Sequence, residues 1–367
     1  MARWRMGWFL GCVALLIGAS PALAGGKVGV YTGAARAVTN TDLLPRLPSS
    51  DHGAVKYTVQ ADFKGGLNLY WSARLFNFGM GDGKCEVTSM VRRRGKDAVR
   101  GGSALGSDEY SIQSSPFLAD FRGHVLSGTR KELTVKGNGK GYSFELTFKP
   151  ALRAWRPGSG KVTFPDGTFF ESLLVMPKAR VEGMLTIDGK TTYIQGTGYV
   201  SKSRGNAAPY LQAKRFVEFR KVQGNTVIWM KEFVTSDEFG AVRVPYLLVA
   251  RKGKILVSTT DFEADYLKMT TDTKSGKNYK VPQAFVLRAK GVKGESVTLG
   301  IQATRLVYRR DKLKRMNAMK RVIVSRYMHP IQFAHKAKFE MQVVPMEGEA
   351  WSVSGTGATY EVNHLNP

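Results

Sequence analysis

Residues 141–150, GYSFELTFKP, and 160–206, GKVTFPDGTFFESLLVMPKARVEGMLTIDGKTTYIQGTGYVSKSRGN, decide the fold. Tyr142, Phe144, Leu146 and Phe148 alternate with Ser143, Glu145 and Thr147, so one face of an extended strand is aromatic and the other polar. Asp166-Gly167 and Asp188-Gly189 supply the positive φ angles of tight hairpin turns. Between them, the runs Phe169–Met176 and Ala179–Asp188 are broken by Pro177, which suits a strand edge or bend. The stretch predicts β-structure throughout.

Working outward, the alternation continues on both sides. Val55, Tyr57, Val59, Ala61 and Phe63 alternate with Lys56, Thr58, Gln60 and Asp62. Leu67, Leu69, Trp71, Ala73 and Leu75 follow, with Tyr70, Arg74 and Phe76 on the opposite face. Large groups on both faces fit a barrel strand that packs outward and lines an interior. Downstream, Phe216–Lys221 and Thr226–Val234 flank a Gly224-Asn225 hairpin signal, and strand-like runs continue to Val297–Tyr308. Helical spacing of Leu313, Met316, Met319 or Lys320, Ile323 and Tyr327 predicts one basic amphipathic helix over Asp311–Met328, ended by Pro330. Strands Phe333–Val344 and Trp351–Asn363 finish the chain.

At the start, Arg3 and Arg5, an apolar run from Gly7 to Gly18 and Ala22-Leu23-Ala24 have the form of an export leader cleaved before Gly25. The apolar run is too short to span a bilayer as a helix. Cleavage leaves 367 − 24 = 343 residues, enough for two ordinary domains. Cys85 is then the single cysteine, so no intramolecular disulfide holds the fold, and 43% hydrophobic residues must supply its cores. Losing Arg3 and Arg5 takes the net charge from +26 to +26 − 2 = +24. Such a charge attracts anions. Export and the lack of any nucleic-acid-binding module argue against nucleic acid, leaving anionic lipid or lipopolysaccharide surfaces, or a charge that only confers solubility.

The run Pro177–Gly205, PKARVEGMLTIDGKTTYIQGTGYVSKSRG, resembles the junction of the two-barrel lipocalin-like superfamily. That group includes carotenoid 1,2-hydratases, AttH proteins and fungal survival-factor-1 proteins. Gly183, Gly189, Gly196, Gly198, Tyr199 and Gly205 match its glycine-rich pattern. Gly65–Lys84 is similar to its early aromatic strand and turn, and Ser354–Leu365 to its last strand. The resemblance implies an all-β fold of two lipocalin-like (calycin) β-barrel domains in tandem, with a short helix near the C-terminus. The expected organisation is leader 1–24, extended lead-in 25–50, N-terminal barrel 51–198 and C-terminal barrel 199–367. Where the hydratase-like branch shows Asp-His and then Trp, this chain has Ser201-Lys202 and then Arg204. Ser and Lys are not a pair that titrates near neutrality, so that branch's acid–base chemistry is not carried over.

Other chemistry is absent. No P-loop and no Gly-x-Ser-x-Gly elbow occur, and His52, His124, His329, His335 and His364 fall at no recognised metal spacing. No metal or other cofactor is expected. The Arg92-Arg93-Arg94-Gly95-Lys96 loop suits solvent or a phosphate headgroup. Two such barrels imply a binding protein for a lipid or other apolar ligand in the cell envelope. Its candidate contacts are Tyr70, Trp71, Trp155 and Tyr199, with Ser201, Lys202 and Arg204 at the rim for an anionic head. Ordinary core packing is the competing reading of each aromatic. A hydratase or isomerase acting on a lipid double bond is the alternative, with Asp261, Glu263 or Asp265 as its acid; a basic envelope scaffold is the third.

Overall fold

The structure, a computed structural model, describes residues 26–77, 82–291, 294–315 and 318–366. The expected leader and Gly25 lie outside them. The first sheet opens with β1 (Ala54–Phe63), β2 (Asn68–Phe76), β3 (Lys84–Arg92) and β4 (Val99–Leu105), each antiparallel to the one before. A second meander runs through β5 (Ser111–Ser114), β6 (Phe117–Phe121), β7 (His124–Thr129), β8 (Glu132–Gly139) and β9 (Tyr142–Pro150). Short β10 (Lys161–Thr163) flanks β11 (Phe169–Ile187), and β11 with β12 (Lys190–Gly205) joins the two meanders. The strand order is 4-3-2-1-12-11-9-8-7-6-5.

The second sheet repeats the plan. It comprises β13 (Ala213–Gln223), β14 (Thr226–Thr235), β15 (Arg243–Arg251), β16 (Lys254–Thr259), β17 (Phe262–Asp272), β18 (Tyr279–Lys290), β19 (Ser296–Asp311), β20 (Ile331–Val344) and β21 (Trp351–His364). Its order is 16-15-14-13-21-20-19-18-17. In both sheets the last strand returns to pair with the first. Each curls around its own core, giving two lipocalin-like barrels in tandem.

The local signals explain the elements. Asp188 and Gly189 sit at φ 51° and 79°, the double positive φ of a type I′ hairpin turn. At Asp166-Gly167 only the glycine is at positive φ. Asp166 instead turns its carboxylate onto the Thr168 N–H and hydroxyl at 2.9 and 2.7 Å, so its side chain organises the loop. Pro177 does not split its strand: β11 continues through it with shifts of register between Leu174 and Ala179. The motif glycines answer to close backbone approach. A Cβ on Gly183 would stand 2.1 Å from the Glu145 carbonyl oxygen, and one on Gly198 2.5 Å from that of Gln60.

The predicted helix over Asp311–Met328 is shorter in the structure. β19 runs to Asp311, paired with Ile331, and the Asp311 carboxylate takes the Leu313 N–H at 3.0 Å into a short 3₁₀ turn. The helix proper is Ala318–Ser325; another, of a single turn, is Pro209–Gln212 between the sheets. At the start of the expected helix, strand pairing takes Asp311 and the 3₁₀ turn takes Leu313–Arg315.

Tyr57, Trp71, Phe121 and Phe148 fill the first barrel and Phe219, Met230, Phe285 and Tyr360 the second, all essentially without exposure. Full burial of each such side chain contributes about 1.5–3 kcal/mol. A third apolar cluster joins the barrels: Trp155, Phe164, Leu174 and Tyr199 pack with Trp229, Phe233, Tyr246 and Leu248. The Trp229 Nε1–H donates to the Pro177 carbonyl at 3.1 Å, and Trp155 Nε1–H to Ser258 Oγ at 2.9 Å, pinning the two bodies together.

Candidate functional site: the cleft between the barrels

Register fixes which side chains face which space. Tyr57 pairs with Lys202, Val55 with Arg204 and Val59 with both Val200 and Trp71, so Trp71, Lys202 and Arg204 belong to the interior face of the first barrel. Gln60 pairs with Tyr199 and Tyr70, and Thr58 with Ser201, on the outer face that looks toward the second barrel. Trp155 lies in the inter-barrel core, 5.3 Å from the Tyr246 ring. The seven expected contacts therefore occupy three environments. Tyr70, Tyr199 and Ser201 share one wall; Trp71 and Trp155 are core; Lys202 and Arg204 meet the lead-in.

That lead-in turns into the mouth of the first barrel. Thr39–Asp42 forms a capping box around a 3₁₀ turn at Asn40–Leu43, and Leu43 drops into the core with only 1% exposure. The Tyr57 hydroxyl donates to the Leu43 carbonyl. The Lys202 ammonium donates to the carbonyls of Asp42, at 2.7 Å, and Leu44. Arg156 and Arg36 hold the Asp42 carboxylate at 2.8 and 2.9 Å. Arg204 grips Glu171 with two parallel bonds of 2.9 and 3.0 Å. An open depression of about 400 Å³ beside it is lined by Arg46–Ser50, Phe169 and Asn206. Lys202 and Arg204 thus find their acceptors inside the chain. Desolvation, reinforced by Arg204, brings the Lys202 pKa down to about 8.

The outer wall tells a different story. Lys56 and Arg74 are directly paired across β1 and β2, two like charges side by side. Opposite them, one row across the second sheet reads Lys231, Glu218, Glu361, Ala334 and Tyr308, and the adjacent row carries Arg310 beside Gln332. Arg220 bridges the barrels by donating to Gln60 Oε1 at 2.8 Å. Its guanidinium stands 4.2 Å from the Tyr199 ring centroid, and Lys231 stands 5.3 Å from that of Phe216. Tyr199 in turn packs edge-on against Trp229 at 4.7 Å. The result is a seam between the barrels along which cations lie over aromatic rings.

Its electrostatics are unbalanced. Among the described residues, none of Lys56, Arg74, Arg220, Lys231, Arg310 and Lys312 forms a salt bridge, and the carboxylates near them are Glu86, paired across the strands with Arg74, Glu218 and Glu361. Desolvation lowers the pKa of Lys231 and of Arg74. Lys312 is lowered to about 8, first by desolvation and then by Lys56, Arg310 and Arg74, although its side chain is reached by water. Glu361 moves the other way. Desolvation, and then the Glu218 carboxylate across the strand pair, raise its pKa, while Gln332 donates to it at 2.9 Å.

The other groups singled out do not gather into a site. Glu263 and Asp265 point to solvent on β17, Asp261 is exposed just before it, and Asp265 pairs with Arg288. Cys85 is a buried free thiol pushed up to about 12 by desolvation. Sequence patterning gave no sign of Glu232, which is fully buried between Arg243 at 2.7 Å and the Tyr266 hydroxyl at 2.6 Å, with Arg215 at 3.5 Å. These groups, drawn from β13, β14, β15 and β17, clasp the second barrel where its end strands meet. Among the described residues no cluster of His, Cys, Asp and Glu is arranged for a metal ion, and no helix is long and apolar enough to cross a membrane.

Against known proteins, the sequence model of the Svf1 family matches residues 171–361, from the start of β11 to Glu361 in β21. No curated protein sequence matches the chain. Among solved structures, CghA superposes with a TM-score of 0.58 at 10% identity, over 92% of this chain and 95% of that one. An AttH-assigned protein of Nitrosomonas europaea gives 0.55 at 10% identity, over 90% and 97%. Kievitone hydratase of Nectria haematococca gives 0.52 at 12% identity, over 92% and 98%. These likenesses carry the fold of two lipocalin-like barrels.

Proposed function

For a chain that belongs to the Svf1 family, we propose that the inter-barrel cleft binds an apolar molecule ending in an anionic group, and carries it rather than transforming it. The observation that supports this most is the set of cations without salt bridges along the aromatic seam. Lys56 and Arg74 are neighbours on one wall, and Arg310 and Lys312 converge from the other. Cations gathered this closely raise each other's free energy, and an incoming anion relieves them together. Tyr70, Tyr199 and Ser201 form part of the wall. Lys202 and Arg204 are assigned to fastening the lead-in. With the expected leader at 1–24 removed, this binding would take place outside the cytoplasm, with a mature N-terminus at Gly25 that intact-mass measurement checks.

A comparison of two probes tests the reading: a long-chain fatty acid and the alcohol of the same chain length. The acid should bind at least ~10-fold tighter, as expected for one or two charge-assisted hydrogen bonds of about 1.5–3 kcal/mol each. Arg310→Ala with Lys312→Ala should erase that preference while leaving the alcohol unaffected. Equal affinity for acid and alcohol in the wild type would rule the anionic end out.

Glu361 favours a second reading. A carboxyl held above its usual range in a cleft can deliver a proton to a double bond, and one structural neighbour is a hydratase. Incubation of extracted bound lipid with wild type and Glu361→Gln separates the two. Product formed by the wild type alone would favour an enzyme.

A further inference from the structure

One edge of the second barrel carries a device that ligand binding does not use. β17 pairs with β18 through Tyr266–Phe285 and then Lys268–Ala284, so Leu267 is an extra residue without a partner. β19 pairs with β20 through Leu306–His335 and then Tyr308–Ala334, so Val307 is likewise an extra residue. A bulge turns its extra side chain out of the pleat. Here both extra side chains are aliphatic and point to water. Leu267 is 68% exposed, Leu306 50%, and Met269 and Val307 37% each. β17 and β19 are the two neighbours of β18; Leu267 lies level with Ala284 and Gln302, and Val307 about five residues further along β19.

The charge around these tips is mostly positive, the exposed carboxylates nearby being Glu263 and the Arg288-paired Asp265 just before Leu267. Lys268 and Arg305 lie beside them in sequence, and Lys274, Lys277 and Lys280 follow in the β17–β18 hairpin, all exposed. The single carboxylate from residue 266 to 284, Asp272, is already held by Arg309 at 2.7 and 2.8 Å. Exposed aliphatic side chains among a surplus of lysines and arginines have the chemistry of a lipid interface: shallow apolar insertion with cations at headgroup level. We propose that this edge of the second barrel docks on the surface of an anionic lipid bilayer. The proposal does not depend on what the cleft binds.

Vesicle co-sedimentation tests it, using phosphatidylcholine vesicles with about one third phosphatidylglycerol, and phosphatidylcholine alone as control. Net charge draws the whole protein to anionic vesicles, so the decisive comparison is between two variants of equal charge change. Leu267→Asp with Val307→Asp should lower partitioning on anionic vesicles at least ~10-fold. Met184→Asp with Met346→Asp, at exposed methionines on the first barrel and beyond the far end of β20, should change it less than ~2-fold. A third variant, Leu267→Trp, should shift its emission to the blue on anionic vesicles only. Equal losses in the two double variants would show diffuse attraction, and no loss in either, or an unmoved tryptophan, would equally overturn the docking edge.

Discussion

Lys202→Met isolates one buried charge and its effect on stability. In the folded protein the ammonium sits 8% exposed against two carbonyls, with a pKa of about 8 in place of 10.5. Between those values the unfolded chain binds more protons at this site than the folded one, so stability rises with pH across that window. A displacement of about 2.5 units at about 1.4 kcal/mol each gives about 3 kcal/mol. Below pH 8 the site contributes no slope, and methionine has nothing to titrate. The assay is urea unfolding of wild type and variant at pH 7 to 10.5. The stability of the wild type relative to the variant should grow by about 3 kcal/mol from the lower to the upper limit, with tyrosine titrations cancelling between them. A difference that stays flat with pH would mean that Lys202 is as hydrated in the folded state as in the unfolded one. The lead-in would then not seal the barrel as described.

Other changes report on other parts. Glu361→Gln removes a desolvated carboxylate opposite Glu218, and because the raised pKa makes the wild type lose stability as pH climbs past the ordinary carboxylate range, the variant should gain about 1 kcal/mol at pH 7 and nothing at pH 4, measured by thermal melts. Gly198→Ala forces a Cβ to within 2.5 Å of the Gln60 carbonyl and should cost about 1–3 kcal/mol in urea unfolding. Glu232→Ala strands two arginines and a tyrosine and should cost about 3–5 kcal/mol, with loss of the second barrel's amide protection in hydrogen exchange. Anion affinity of the cleft should fall as pH rises through about 8, where Lys312 loses its charge, and Lys312→Met should flatten that fall.

The fold was legible because its code is local. Alternation from Val55 to Phe63 and Tyr142 to Phe148, with a turn such as Asp188-Gly189, dictates strand, face and hairpin without reference to distant residues. The glycine motif was legible for a related reason, since Gly183 and Gly198 answer to a neighbouring strand's carbonyl. The helix over Asp311–Met328 was overdrawn because periodicity does not reveal that Asp311 ends a strand, that Leu313–Arg315 turns as 3₁₀ or that the helix stops at Ser325. The site was only partly legible. Alternation put Tyr70 and Trp71 on opposite faces, but which face meets the other barrel is a property of packing between domains. The Glu218–Glu361 pair and the Lys56–Arg74 pair join residues far apart in sequence or across a hairpin, and each looks in isolation like a solvated surface charge. Glu232 is hidden for the same reason: its partners come from three other strands.

Mass spectrometry of what the protein holds tests the cleft most directly. Wild type and the Arg310→Ala, Lys312→Ala variant, purified in parallel from the envelope fraction, are extracted with organic solvent and the extracts compared against protein amount. The expected result is an anionic amphiphile in near-stoichiometric yield from the wild type and largely missing from the variant. Neutral lipids alone, or the same anionic species in equal yield from both proteins, would contradict a cleft built to hold an anionic head.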